Sequence, residues 1–293
     1  ANNGGLNAIS QNENESGDSS TDIITPSMPE DSTEDQNSFS EMTQSLLSMG
    51  GLYFNDLKVT ITPKASSAIV LNFTDMNLDL TDSNSLDFNF SSSLNVQYEE
   101  ISENLNINFE KDGYLYVSLP DKTSYSNSAF SLSAPDTLDD FIKVFKLAGM
   151  NIPSTSSLDF DVTTLISDVK NSLSMTSSTS ADGGYVYTLA VTSFSLTDSI
   201  TVPSFSLTIN SNSNNQLSGI TTISPIVVSD TSISIASSCK TLATSTYVKA
   251  DASKYSDLTH ASESVLSTVI SILDKKKTDV GINIALTAPN GTS

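Results

Sequence analysis

The chain has 293 residues, 37% of them apolar, and carries Asp+Glu 34 against Lys+Arg 13 for a net charge of −21, with no arginine. Nucleic acid and anionic lipid surfaces need clustered cations, so both are excluded as partners, and the negative field favours a monomer. One cysteine, Cys239, leaves no intrachain disulfide and no thiolate metal site.

Residues 1–38 are rich in Asn, Ser, Asp, Glu, Gly and Pro, with few apolar residues. Such a segment cannot offset its ordering entropy by burial, and it reads as a disordered acidic tether or as an ordinary frayed terminus. No stretch approaches the ~20 apolar residues of a membrane span. The chain begins at Ala1 and is read as the mature or trimmed form of a secreted or surface protein.

From Phe39 the pattern becomes helical: Phe39, Met42, Leu46 and Met49 recur at three- and four-residue steps, and Gly50-Gly51 stops them. Alternation follows. Leu57, Val59 and Ile61 predict one strand, and Met76, Leu78 and Leu80 a second. Leu86, Phe88 and Phe90, then Leu94, Val96 and Tyr98, then Leu105, Ile107 and Phe109 predict three more. Lys111-Asp112-Gly113 is a hairpin turn, and Tyr114 to Leu119 the return strand.

The period then changes. Leu138, Phe141, Ile142 and Phe145 form an apolar stripe behind the cap Asp136, ended by Gly149. Val162, Leu165, Ile166, Val169 and Leu173 form a second. After the turn Asp182-Gly183-Gly184, strands resume at Tyr185–Val191, Phe205–Ile209, Leu217–Ile223, Ile226–Ile235 and Thr241–Val248. This order predicts an α+β domain over 39–250, a curved antiparallel sheet with helices packed on one face. Residues 251–261 read as a linker.

The tail repeats the start. Moved back by 223 positions, the stretch from Glu263 falls on the one from Ser40. Val280, Ile282 and Ile284 then meet Leu57, Val59 and Ile61. Residues 262–293 are read as the start of a second, truncated copy, as a chance match, or as a helix and strand closing the same sheet.

Reactive groupings are sparse. His260, the single histidine, lies in the expected linker without a second His or Cys nearby. Asp75 to Asp79 lacks the glycine and glutamate of a calcium loop, having Leu80 and Leu86 there. Glu99, Glu100 and Glu103 fall near an expected turn and read as a solvated rim rather than a carboxylate pair. No enzyme, metal or cofactor is expected.

The helix at Phe39, the meander strands, KDGYLYVSLP (Lys111–Pro120), SLSAPDTLDDFIKVF (Ser131–Phe145) and GGYVYTLAVT (from Gly183) together resemble the half-barrel bacterial lipoproteins, the LolA/LolB carriers and the LppX/LprG-type surface proteins. The resemblance covers residues 39–248. It implies a curled sheet with helices on its concave face and acyl chains held in the apolar space between them. It also implies attachment to a membrane only through an N-terminal lipid anchor.

The candidate lining residues are Leu46, Leu138, Phe141, Ile142, Phe145, Leu165, Ile166 and Val169. A lipid or other apolar ligand is the expected partner. With no arginine and few lysines near the helices, its headgroup is expected to be neutral or in solvent. The alternative is a structural or adhesive β-rich surface protein with no small-molecule ligand.

Overall fold

A computed structural model describes residues 33–81, 88–110, 113–122, 128–135, 140, 144, 145, 150, 152, 165, 168, 169 and 171–258. One helix, α1 (Thr33–Ser48), leads into β1 (Gly51–Pro63), β2 (Ile69–Asp79), β3 (Asn89–Tyr98), β4 (Ile101–Glu110), β5 (Tyr114–Ser118) and β6 (Ala129–Ser133). After a central segment come β7 (Leu173–Thr179), β8 (Tyr185–Val191), β9 (Phe194–Thr197), β10 (Ile200–Val202), β11 (Phe205–Ser211) and β12 (Leu217–Thr222). β13 (Ile226–Val228), β14 (Thr231–Leu242) and β15 (Ser256–Asp257) finish the described chain.

The strands form one large sheet in the order β15-β6-β5-β4-β3-β2-β1-β14-β12-β11-β8-β7, with β13 also on β14 and β9-β10 apart as a hairpin. All pairs are antiparallel except β15 with β6. Two meanders meet at the middle: β14 returns to lie beside β1, from Gly51 opposite Leu242 to Pro63 opposite Thr231.

Each strand puts alternate residues on an inner, apolar face. Two bulges reverse the alternation within strands. Asn55 is skipped between Phe54 and Asp56, so Leu52 and Phe54 share the inner face with Leu57, Val59 and Ile61. In β2 the register shifts between Thr74 and Asn77, so Ile69, Leu71 and Phe73 are followed inward by Met76. Ser92 faces this second irregularity, and its hydroxyl donates to the carbonyls of Thr74 (3.2 Å) and Ser93 (2.8 Å). Asp75, at φ 50, accepts a hydrogen bond from the Tyr53 hydroxyl, so the two bulges are tied at one row. Aligned bulges bend and twist a sheet locally.

The topology obliges two crossings. β6 and β7 lie ten strand positions apart, about 48 Å at ~4.8 Å per strand. Residues 134–172 join them, and Val144, Phe145, Met150 and Ile152 of that segment are buried in the same cluster as the inner face. The second crossing is on the outer face. After β14, residues 243–255 run over Asn77, Asn108, Glu110 and Tyr116 to reach the β6 edge. Thr246 donates to the Asn77 side chain, Asn108 Nδ2 to the Val248 carbonyl (3.0 Å), and the Ala250 amide to Glu110 Oε1 (3.0 Å). Tyr255 stacks edge-on against Tyr116 at 5.1 Å. This strap explains why outward-facing Glu110 and Tyr116 are buried. Its first residues pass so close to Gly50 that a Cβ there would meet the Ala243 oxygen at 2.6 Å.

Several expectations change. α1 begins at Thr33 rather than Phe39. Residues 33–38, read as tether, are therefore helical. The strand expected over Thr241–Val248 ends at Leu242, because the chain turns there into the strap. Ile226–Ile235 is two strands around Ser229-Asp230, with Ser229 at φ 52. Leu173 opens β7 instead of ending a helix. Asp251 to Asp257, read as linker, forms a 3₁₀ turn and β15. At class level the protein is β-rich, a very large, almost wholly antiparallel sheet with one full-length helix among the described residues. His260 and residues 262–293 lie outside the described residues.

Candidate functional site

The inner face is not evenly covered. Toward the β6 edge, Leu115, Val117 and Phe130 are fully buried. At the centre, where β1, β14, β12 and β11 run side by side, the inward residues Leu57, Val59, Ile235, Ile220, Leu207 and Ile209 are only half-buried. The registers make them one patch. Val59 lies opposite Ile235, Ile209 opposite Ile220, and Leu207 opposite Thr222. In a filled core the central strands are ordinarily the most covered, so this pattern marks a stretch of the apolar face that packs against the core but is covered less than the β6 edge.

α1 lies on the same face and is fixed at its β8 end. Phe39 packs edge-on against Tyr187 at 5.1 Å. The Tyr187 hydroxyl donates to Asn215 Oδ1 (2.8 Å), and Asn215 Nδ2 donates to the Ser38 carbonyl (2.7 Å). Burial raises the Tyr187 phenol above its ordinary pKa. Met42 is buried beneath the helix, whereas Leu46 is half-buried against the core.

Of the candidate lining residues, Phe145 is fully buried, and Leu46, Leu165 and Val169 are half-buried against the core cluster. Leu138, Phe141, Ile142 and Ile166 lie outside the described residues. The patch residues on β1, β11, β12 and β14 were visible in the sequence only as alternating strand positions. Nothing in a period of two distinguishes a covered inward residue from an uncovered one.

Polar groups on the inner side are few. Glu103, expected on a solvated rim, instead takes an inward position in β4 opposite Val96. Lys122, from the 3₁₀ turn after β5, places its Nζ 3.6 Å from Glu103 Oε1, and both side chains are largely out of solvent. Glu99 and Glu100 do occupy the β3–β4 turn, where Glu99 accepts from Ser67 Oγ at 3.0 Å. Asp75 and Asp79 are spent on the Tyr53 and Thr81 side chains. Among the described residues no group of three His, Cys, Asp or Glu side chains could hold a metal ion. No described helix is long and apolar enough to cross a membrane.

Cys239 is buried on β14, and desolvation pushes its thiol up to about 12. It is therefore protonated and a poor nucleophile at neutral pH. Iodoacetamide at pH 8 should leave the folded chain unmodified and alkylate it fully in urea. Rapid alkylation of the folded chain, read by mass, would contradict this burial.

No protein-family model matches the chain, and no curated protein sequence does. Among solved structures it is similar to LprF from Mycobacterium bovis, at 8% identity over 71% of this chain and 92% of that chain, with a TM-score of 0.34. A likeness at that score transfers no ligand and no role.

Proposed function

We propose that the protein is a non-catalytic binding domain of a secreted or surface-anchored lipoprotein, and that it holds an apolar ligand such as a lipid acyl chain on the inner face of its sheet. The sheet is a half-barrel in this reading, with helices of the central segment and α1 on the concave side. The supporting observation is the half-covered patch Leu57, Val59, Ile235, Ile220, Leu207 and Ile209. An acyl chain laid there would gain about 0.8 kcal/mol per buried CH₂ with no charged contact. The candidate residues Leu46, Leu165 and Val169, half-buried against the same core, would line the opposite wall, with Leu138, Phe141, Ile142, Phe145 and Ile166 contributed by the central segment. The scarcity of inward charge suits a ligand whose headgroup is neutral or left in water.

The test is to fill the patch. Val59→Phe with Leu207→Phe adds volume to a packed core or to an open one, and the two cases differ. Into a packed core the extra atoms cost about 1–3 kcal/mol through overpacking. Into open space they cost less than about 1 kcal/mol, and they compete with the ligand. The expected result is near-unchanged urea stability together with at least a tenfold loss of affinity for a fluorescent fatty acid. Strong destabilisation with unchanged fatty-acid affinity would refute the reading and leave the adhesive or spacer alternative.

A further inference from the structure

The half-covered patch lies directly over the least regularly paired seam of the large sheet. Regular pairing between β12 and β14 is confined to Thr221 opposite Ala236. On either side of that pair, side-chain hydroxyls stand between the two main chains. Ser237 Oγ takes the Ile220 amide (3.0 Å) and donates to the Ile220 carbonyl (3.0 Å). Thr222 Oγ1 takes the Ile235 amide (3.0 Å) and donates to the Ile235 carbonyl (3.2 Å). The next seam, β14 with β1, is paired along its whole length.

A backbone amide held by another backbone has one geometry. A hydroxyl rotates about its C–O bond and swings with its side chain, so it can follow a partner through a change of angle. Room for such a change lies on the outer face. On the outer face a cleft of about 330 Å³ opens over this seam, walled by Thr221 and Ile223 on one side and by Lys58, Ser234 and Ala236 on the other. The strap bonds to Asn77, Asn108 and Glu110 and packs on Tyr116, all on the β1–β6 side. α1 is fixed to β8 and meets β1 at Gly50-Gly51.

We infer that the sheet is two leaves, β15 to β14 and β12 to β7, hinged at the hydroxyl-bridged seam, and that flexing of this hinge sets the rate at which apolar ligand enters and leaves the patch. The rate statement rests on the proposed ligand. The hinge itself does not. A bridged seam opens by rotation of Thr222 and Ser237 rather than by breaking a ladder. Opening widens the angle between the patch residues of the two leaves, Leu57, Val59 and Ile235 on one and Ile220 and Leu207 on the other.

The test uses the full chain with Thr221→Cys and Ala236→Cys. These are directly opposed residues of an antiparallel pair, a separation that a disulfide spans without backbone movement. In the wild type, hydrogen exchange at the Ile220 and Ile235 amides should be at least tenfold faster than at the β1 amides. Equal protection would overturn the hinge. In the oxidised double variant that difference should vanish, and uptake of a fluorescent fatty acid should slow at least tenfold, recovering on reduction. Uptake unaffected by the bridge would overturn the rate statement. Cysteines that do not bridge under mild oxidation would contradict the opposition of 221 and 236 itself. A wild type that takes up no fatty acid yet shows fast exchange at the two amides would sink the ligand reading while sustaining the hinge.

Discussion

Phe145→Ala is expected to lower unfolding stability by about 3–5 kcal/mol, the usual cost of emptying a fully buried aromatic site. The size of the effect follows from topology. Residues 134–172 must pass from one edge of the sheet to the other, and Phe145 is the bulkiest fully buried side chain among the described residues of that passage. Typical domains hold only about 5–15 kcal/mol in total, so the variant should unfold at a much lower urea midpoint with little change in slope. A loss under about 1 kcal/mol would mean that the central segment is not integral to the core, and that the inner face stands open along its length.

The second large effect concerns Lys122 and Glu103. Their pair is largely shielded, so Lys122→Met should cost about 3 kcal/mol, the low end of the range for breaking a buried pair because Glu103 keeps some contact with water. The double replacement Lys122→Met with Glu103→Gln should recover most of that loss, since both desolvation penalties disappear together. Urea midpoints of the two single variants and the double variant form a cycle. Additive losses would show that the pair is not coupled and that Lys122 is held by packing of its stem instead. This inward pair was hidden in the sequence: Glu103 sits three residues after Glu100, and only the register of β4 separates its side from that of the turn.

Other parts of the fold were legible because each carried a local physical signature. Gly113 and Gly183 take the positive φ, 101° and 88°, that the turns expected at those places require. Gly50-Gly51 ends α1 where the strap needs room. Leu94, Val96 and Tyr98 in β3 and Leu105 and Ile107 in β4 show unbroken alternation, and Leu94 lies opposite Leu105. The bulges at Asn55 and Asp75 defeated alternation, because one extra residue moves the inward set by one position. β6, β9 and β10 were missed because strands of three to five residues carry too short an apolar period, and β7 because serine and threonine occupy both of its faces after Met175. The candidate site was legible only in part. The sequence supplied the inward strand residues, but coverage is decided by what crosses the sheet, and no local pattern records that.

The most direct measurement is native mass spectrometry of the full chain as purified, and again after incubation with mixed lipid vesicles, beside Val59→Phe/Leu207→Phe. The account predicts wild-type masses carrying one apolar molecule, released by mild organic extraction and absent from the filled variant. A bare wild-type mass under both conditions, or an adduct equally retained by the filled variant, would contradict a ligand held on the inner face.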